Sequence, residues 1–367
     1  MECVINNIFS LGDKKLLCFP DKIKAYFSGE AVVPITLEIQ PTEICNHKCP
    51  QCQSHFILGA KEASGRALTG KELDLEIIDV IADAPPLGII ISGHTGEPLM
   101  HSRIDVLLER IYDLNIPVVF ISNGELINKD IAALLVKVCR GIRISLDAYD
   151  AHSYKKTHGV SEKSWLRVMD GVRHLIIARN NIGKDSKLCS IGVGFLTNEK
   201  TEPGMADATT LAKSLGVDYI QFRPFHFQEY NIDKTLRICQ TFEEPNFFNV
   251  YSSYQKYSRF GSFSRKYSMC HGSFFYTVLD PRGDLYICCH HTGDNEAKIG
   301  SLYEKTWRDL LDRDLKSSVA TKFPNKSCVS FCRLHTHNEL LHSLMQSAIS
   351  INPHPADKTI ANHDVFL

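Results

Sequence analysis

"ITLEIQPTEICNHKCPQC" spans residues 35–52: a short alternating apolar run, a proline, then Cys45, Cys49 and Cys52 within eight positions. ITLEIQ (35–40) has the period-two alternation of a strand. Three thiols directly after it stand where parallel α/β sheets place their ligand sites, beyond the carboxyl end of a strand. The chain has thirteen cysteines in 367 residues. In a reducing compartment such thiols are not a disulfide framework, and clustered ones are metal ligands or reactive groups. Three thiolates from one loop can hold three irons of a four-iron cluster and leave one iron open. The alternative is zinc, recruiting two of these cysteines with His47 or His55, although zinc sites normally draw ligands from two separated knuckles.

From this loop onward the pattern is β/α. GIIIS (88–92), PVVFIS (117–122), GIRISLD (141–147), LCSIGVGFL (188–196) and VDYIQF (217–222) read as further strands. Helical periodicity lies between them, predicted over 68–82, along RIDVLLERIYDL (103–114) and IAALLVKV (131–138), over 164–179 and along ATTLAKSLG (208–216). Six strands alternating with helices imply a parallel sheet joined by right-handed crossovers. A curved, incomplete barrel and an open doubly wound sheet both fit that periodicity.

Residues 228–268 are aromatic and polar with weak periodicity and read as a linker, after a β/α domain over 34–227 and an N-terminal extension over 1–33. SFFYTVLDPRGDLYICC (273–289) is predicted as a hairpin by its Asp-Pro-Arg-Gly turn. Helices are predicted near 302–315 and 338–349, giving a small domain over 269–349, with 350–367 as a loosely held tail. The net charge of −1 supplies no field for nucleic acid or anionic lipid. The start, MECVINNIFSLGDKK, lacks a signal-peptide pattern, and no apolar run approaches the roughly 18 residues of a membrane span. A cytoplasmic protein without nucleic-acid or membrane partners is expected.

CxxxCxxC after a first strand resembles the signature of the radical SAM (S-adenosylmethionine, AdoMet) superfamily, and five further segments agree in order. HTGEP (94–98) resembles its glycine-glycine-glutamate-proline motif; ISNG (121–124), ISLDAYD (144–150), GFLTN (194–198) and QFRP (221–224) close the third to sixth strands. Two positions depart from the family pattern: Gln51 replaces an aromatic residue before the third cysteine, and His94-Thr95 replaces the first glycine of the second motif.

The resemblance implies a partial (β/α)6 TIM-like barrel, with Cys45, Cys49 and Cys52 holding a [4Fe-4S] cluster whose open iron is chelated by AdoMet. Reductive cleavage then gives methionine and a 5′-deoxyadenosyl radical that removes hydrogen from substrate. Carried over by position, Gly96 and Glu97 meet the methionine amino group, and Ser122, Asn123, Ser145 and Asp147 are candidates for carboxylate and ribose contacts. Taken alone, Asp147 also reads as a helix cap and Ser122-Asn123 as a turn. A flavodoxin- or ferredoxin-type electron donor is implied.

Cys270 is followed by twelve residues, Gly283, four residues and Cys288, then by 39 residues, Cys328, three residues and Cys332. This resembles the Twitch region of such enzymes, the shorter relative of SPASM, in an α+β domain that encloses one auxiliary [4Fe-4S] cluster. Without the resemblance, a four-cysteine zinc site is the competing reading. Cys289 is left over: a replacement ligand, a core residue, or a hydrogen-atom donor. His290 and His291, if extended, point to opposite faces and do not share an ion.

A fully cysteine-ligated second cluster favours two-electron oxidation. Dehydrogenation of a small hydroxylated molecule such as a cyclitol or sugar is therefore expected, in natural product biosynthesis, with Arg223 orienting a substrate hydroxyl or stabilising an alkoxide; its plainer reading is an ion pair at the rim. Rivals are epimerisation, with Cys289 or Cys239 returning hydrogen, and ribosomal-peptide maturation, disfavoured by the 34 residues ahead of the first strand. A non-catalytic zinc or iron–sulfur binding protein is the alternative of another class.

Overall fold

A computed structural model describes residues 15–52, 69–94, 96–182, 189–225, 230–242, 249–252, 257, 264–323, 328–329, 331–347 and 366. His55 and most of the predicted tail lie outside the described residues.

The strands predicted between 35 and 224 form where alternation places them: β1 (Thr36–Ile39), β2 (Gly88–Ile91), β3 (Val118–Ser122), β4 (Cys139–Ser145), β5 (Ser190–Thr197) and β6 (Tyr219–Pro224). They pair in parallel, each with the next, in sequence order. A doubly wound sheet reverses strand order at a switch point; this run never does, so the crossovers all progress in one sense around a curved, open, barrel-like sheet.

Side chains divide by strand parity. Leu37, Ile39, Ile142, Ile144, Ile220 and Phe222 are fully buried apolar residues, while the alternate positions carry Glu38, Gln40, Arg143, Gln221 and Arg223. Arg143 on β4 donates from Nη1 to Gln221 Oε1 on β6 at 3.0 Å, across the intervening β5. Only side chains on one concave face can bridge strands two apart, so the polar set lines the lumen.

Five sequence expectations change. Within the predicted linker, β7 (Asn249–Ser252) adds a parallel strand beside β6, and a helix covers Asp233–Thr241; four residues are too few to display alternation. The helix predicted over 68–82 is confined to Glu76–Ile81: Gly70 has φ 71°, Thr42 bridges Glu72, and Asp74 Oδ1 accepts from the Glu76 N–H at the helix start. An additional helix, α5 (Ala151–His158), precedes the long α6 (Glu162–Asn181), nucleated by an Asp150–Ser153 capping box. The single helix predicted near 302–315 is two, Trp307–Leu310 and Arg313–Ala320, each with its own cap at Thr306 and Asp312. In the predicted tail Phe366 is buried and its carbonyl accepts from buried Lys15 Nζ at 2.8 Å.

The predicted hairpin forms as β8 (Tyr276–Leu279) and β9 (Asp284–Tyr286), with Gly283 at φ 73° in the reversal. β10 (Lys298–Ser301) pairs with β9, and β8 pairs in parallel with β1. The C-terminal strands thus extend the same sheet beyond its first strand. Among the described residues no helix is long and apolar enough to cross a membrane.

Candidate active site

The cysteine loop leaves the carboxyl end of β1 and is braced on both sides. Lys48 N donates to the His158 carbonyl at the end of α5 (3.1 Å), and Cys52 N to the Cys49 carbonyl (3.0 Å). The His47 ring pairs through Nε2 with Glu125, which also takes Arg167, and faces His158 Nδ1 at 3.3 Å. His158 Nε2 donates to the Leu146 carbonyl (2.9 Å), so its Nδ1 is an acceptor, 3.5 Å from Cys49 Sγ. Asn123 Nδ2 donates to Asn46 Oδ1 (2.8 Å), tying the loop to the turn after β3.

His47, Cys49 and His158 are the one group of three metal-type ligands within 4.8 Å of one another among the described residues. Their imidazoles are already engaged with Glu125, with Leu146 and with each other, an arrangement that holds the loop rather than an ion. The donor set left facing outward is the three thiols, with Cys45 exposed and Cys49 and Cys52 half-buried. The His47 N–H points at Cys45 Sγ (3.4 Å). Burial pushes the metal-free Cys45 thiol up to about 11 and Cys49 higher, so metal loading expels protons. Three thiols on one loop suit three irons of a cubane.

Against this loop sits Glu97. A Cβ on Gly96 would lie 2.3 Å from the Thr42 carbonyl oxygen and 2.7 Å from that of Ile44, so only glycine lets the two backbones touch. The Glu97 N–H donates to the Ile44 carbonyl (2.8 Å). Its buried carboxylate accepts from Ser122 Oγ (2.6 Å) and Leu99 N (3.2 Å) at Oε1, and from Asn123 N (2.8 Å) at Oε2. Burial outweighs those donors and lifts its pKa to about 7. With three donors on four lone-pair sites, Oε2 keeps room for one more.

Ser122 and Asn123 form the turn expected of them, Ser122 Oγ and Asn123 Oδ1 each accepting a turn N–H, and both residues also donate to Glu97. Ser145 ends β4 opposite Gly194. Asp147 is not a helix cap; that position is Asp150's. Its backbone is left-handed (φ 47°), its Oδ1 accepts from Leu196 N (2.6 Å), and burial raises its pKa to about 6.

In the lumen, Glu38 receives Ser92 Oγ (2.7 Å), Tyr276 and Arg333 Nη1 (3.3 Å). Burial works against its charge, but Arg333, Tyr276 and Ser92 outweigh it and hold the pKa below the usual carboxylate range. Arg223 Nε is buried and has no hydrogen-bond partner among the described residues, and Asp147 is the carboxylate that acts on its charge.

Sequence reading missed Glu38, Arg143 and Arg333 in the lumen, and Glu125 and His158 behind the cysteine loop. Strand alternation could have found the first two. No local signal marks the others.

The second cysteine group gathers from three places. Sulfur-directed donors are Asn338 Nδ2 to Cys270 (3.6 Å), His290 N to Cys288 (3.3 Å) and Leu334 N to Cys332 (3.4 Å). Cys332 acts electrostatically on Cys270, Cys288 and Cys328 alike. Burial first, then Cys332, raises Cys270 to about 11 and Cys328 to about 12. Cys289 hydrogen-bonds first of all to its neighbour Cys288, then to Tyr276, and feels Glu38 and Arg333. His290 and His291 lie on a 3-10 turn rather than an extended segment, with His291 facing Asp294 at 3.6 Å. Cys239 is fully buried on the helix Asp233–Thr241.

Residues 39–202 match the family model of the Radical SAM superfamily. A probable GTP 3′,8-cyclase of Pyrobaculum aerophilum is 25% identical over 182 residues, 49% of this chain and 55% of that one; the chain thus spans about half of that curated relative. The fold is similar to Streptococcus suis SuiB bound to S-adenosylmethionine (TM-score 0.59, 18% identity, 83% of this chain and 71% of that one). It is also similar to anSMEcpe with bound AdoMet (TM-score 0.57, 13% identity, 85% and 97%).

Proposed function

We propose, on the footing of the match of residues 39–202 to the Radical SAM superfamily model, that the chain is an AdoMet-dependent dehydrogenase of a small hydroxylated molecule. Cys45, Cys49 and Cys52 would hold the cluster, and Glu97 would accept from the nucleotide's amino group. Bound together, cluster and AdoMet supply a 5′-deoxyadenosyl radical that abstracts one hydrogen atom from substrate. Asn123, Ser145 and Asp147 flank the same end of the lumen, where Oδ2 of Asp147, the oxygen not bonded to Leu196 N, is an acceptor for a ribose hydroxyl. Glu38, held ionised by three donors, is a weak base that orients rather than deprotonates.

Oxidation requires an acceptor for the electron left after one hydrogen atom and one proton have gone. Cys270, Cys288, Cys328 and Cys332 hold that acceptor as a second, fully cysteine-ligated cluster. The observation that carries this reading is the set of N–H donors aimed at Cys270, Cys288 and Cys332, the hydrogen bonding that stabilises thiolates and tunes iron–sulfur potentials. Anaerobic turnover with aminocyclitols, sugars and peptides tests it: one deoxyadenosine per product lighter by two hydrogens is expected. A product of unchanged mass carrying one solvent hydrogen rejects dehydrogenation.

A second reading rests on Cys289, whose thiol hydrogen-bonds to Cys288 and to Tyr276 and feels the lumen charges Glu38 and Arg333: epimerisation with Cys289 returning hydrogen. Cys289→Ala separates the two. A dehydrogenase keeps its ratio of deoxyadenosine to product; an epimerase loses its product while still consuming AdoMet.

The raised pKa of Glu97 sets a pH dependence. Burying this carboxylate costs nothing below the ordinary carboxylate range, and the cost grows as pH rises toward about 7. An N–H donor such as the amino group of AdoMet relieves it, so AdoMet affinity tightens with rising pH up to about 7, by at most about tenfold per pH unit. Equilibrium dialysis of AdoMet at pH 5.5 and 7 reads this directly; an affinity that is flat or falls with pH removes Glu97 from the amino-group contact.

A further inference from the structure

The lumen holds more positive charge than dehydrogenation of a neutral alcohol needs. Arg143 from β4 and Arg223 from β6 lie side by side over β5: a Cβ on Gly194 would sit 3.3 Å from both Arg143 Cδ and Arg223 Nη2. Gly194 thus clears the floor on which two guanidinium side chains meet. Arg143 Nη1 is anchored on Gln221 (3.0 Å), and Arg223 Nε has no hydrogen-bond partner among the described residues although it is buried. Arg333 stands across the lumen, its guanidinium 5.3 Å from the Tyr276 ring centre and 3.3 Å from Glu38.

Among the described residues the carboxylates that act on these three cations are Glu38 and Asp147, and the Cys288 and Cys289 thiols act on Arg333 as well. Glu38 is committed to Arg333, and Asp147 spends one oxygen on the Leu196 N–H. His94, Tyr219, Tyr257 and Tyr276 also face the group and add no negative charge near neutrality. Arg143 and Arg223 work against one another, on top of burial that already disfavours both charges. Guanidinium groups stay protonated regardless. Two adjacent guanidinium groups that repel one another draw an anion between them, and the guanidinium fork fits an oxyanion in two-point contact.

We propose that Arg143 and Arg223 form a cradle for an anionic group of the substrate, a carboxylate or a phosphate. This rests on the reading of the lumen as the substrate site and narrows the substrate to a hydroxylated acid or a phosphate ester.

The test is equilibrium dialysis of labelled inorganic phosphate against the anaerobically reconstituted protein, with and without saturating AdoMet. One phosphate per chain is expected in both cases. Arg223→Gln weakens it by about 10-fold or more, the scale of a charge-assisted hydrogen bond, while Arg173→Gln, an exposed change, leaves it alone. Gln221→Glu provides a second variant: a carboxylate beside Arg143 fills the fork and expels phosphate. Displacement by acetate assigns a carboxylate substrate and resistance to acetate a phosphate ester, and either supports the cradle. Absence of phosphate and acetate binding, undiminished binding in Arg223→Gln and Gln221→Glu, or displacement by AdoMet each overturns it, the last by giving the cradle to the nucleotide's own carboxylate. Dialysis requires no turnover, so failure to cleave AdoMet sinks the proposed function without touching this result.

Discussion

Cys49→Ala is expected to leave a protein that no longer forms deoxyadenosine, and Cys332→Ala, on the proposed function, one that still does but yields no oxidised product. The two substitutions act on separate cysteine groups. Cys49 lies in the loop braced by His158 and Lys48, and Cys332 acts electrostatically on the other three C-terminal thiols. Each variant loses one cubane, so reconstituted iron falls from about eight to about four per chain in both. Deoxyadenosine formation falls by more than about 100-fold in Cys49→Ala, because even outer-shell partners of a metal site cost about 10- to 100-fold. Iron analysis and chromatography of deoxyadenosine on the same samples check both halves. Zinc in place of iron and sulfide at the first loop, or full cleavage activity in Cys49→Ala, contradicts the assignment of that loop.

Gly96→Ala is expected to be nearly as damaging without removing any chemical group. The added methyl meets the carbonyl oxygens of Thr42 and Ile44 at 2.3 and 2.7 Å and the Ile44 nitrogen at 2.9 Å. These are backbone atoms of the segment that delivers Cys45, and they cannot rotate aside. Overpacking of this kind costs roughly 1–3 kcal/mol. A shift of about 1 Å between Glu97 and the cysteine loop costs about 100-fold in rate. Thermal unfolding, iron content and AdoMet cleavage should all decline together. Wild-type values for all three would falsify the docking of Gly96 on the loop.

Much of the fold is legible because its signals are local. Alternation in TLEI, GIRIS and YIQFR marks strands and even sorts Glu38, Arg143 and Arg223 from the apolar face, since side chains alternate across a strand. The cysteine spacings and the Asp-Pro-Arg-Gly turn are likewise confined to a few residues. The capping box at Asp150–Ser153 was also readable, and it marks α5, whose last residue His158 braces the cysteine loop. Asp147 was legible as a polar strand end but not as a left-handed residue whose carboxylate is spent on Leu196.

By itself the sequence determined that residues 34–224 make parallel β/α units, that three thiols follow the first strand, and that four more sit around a hairpin. The tertiary structure alone decided that the hairpin continues the sheet beyond β1, that Glu38 meets Arg333 from 295 residues away, and that Arg143 and Arg223 share the floor over Gly194. Spacing and periodicity report what a residue does within a turn or two of its own backbone. Which strand closes on which edge, and which charges that closure confines in one low-dielectric lumen, depends on the packing of the whole sheet.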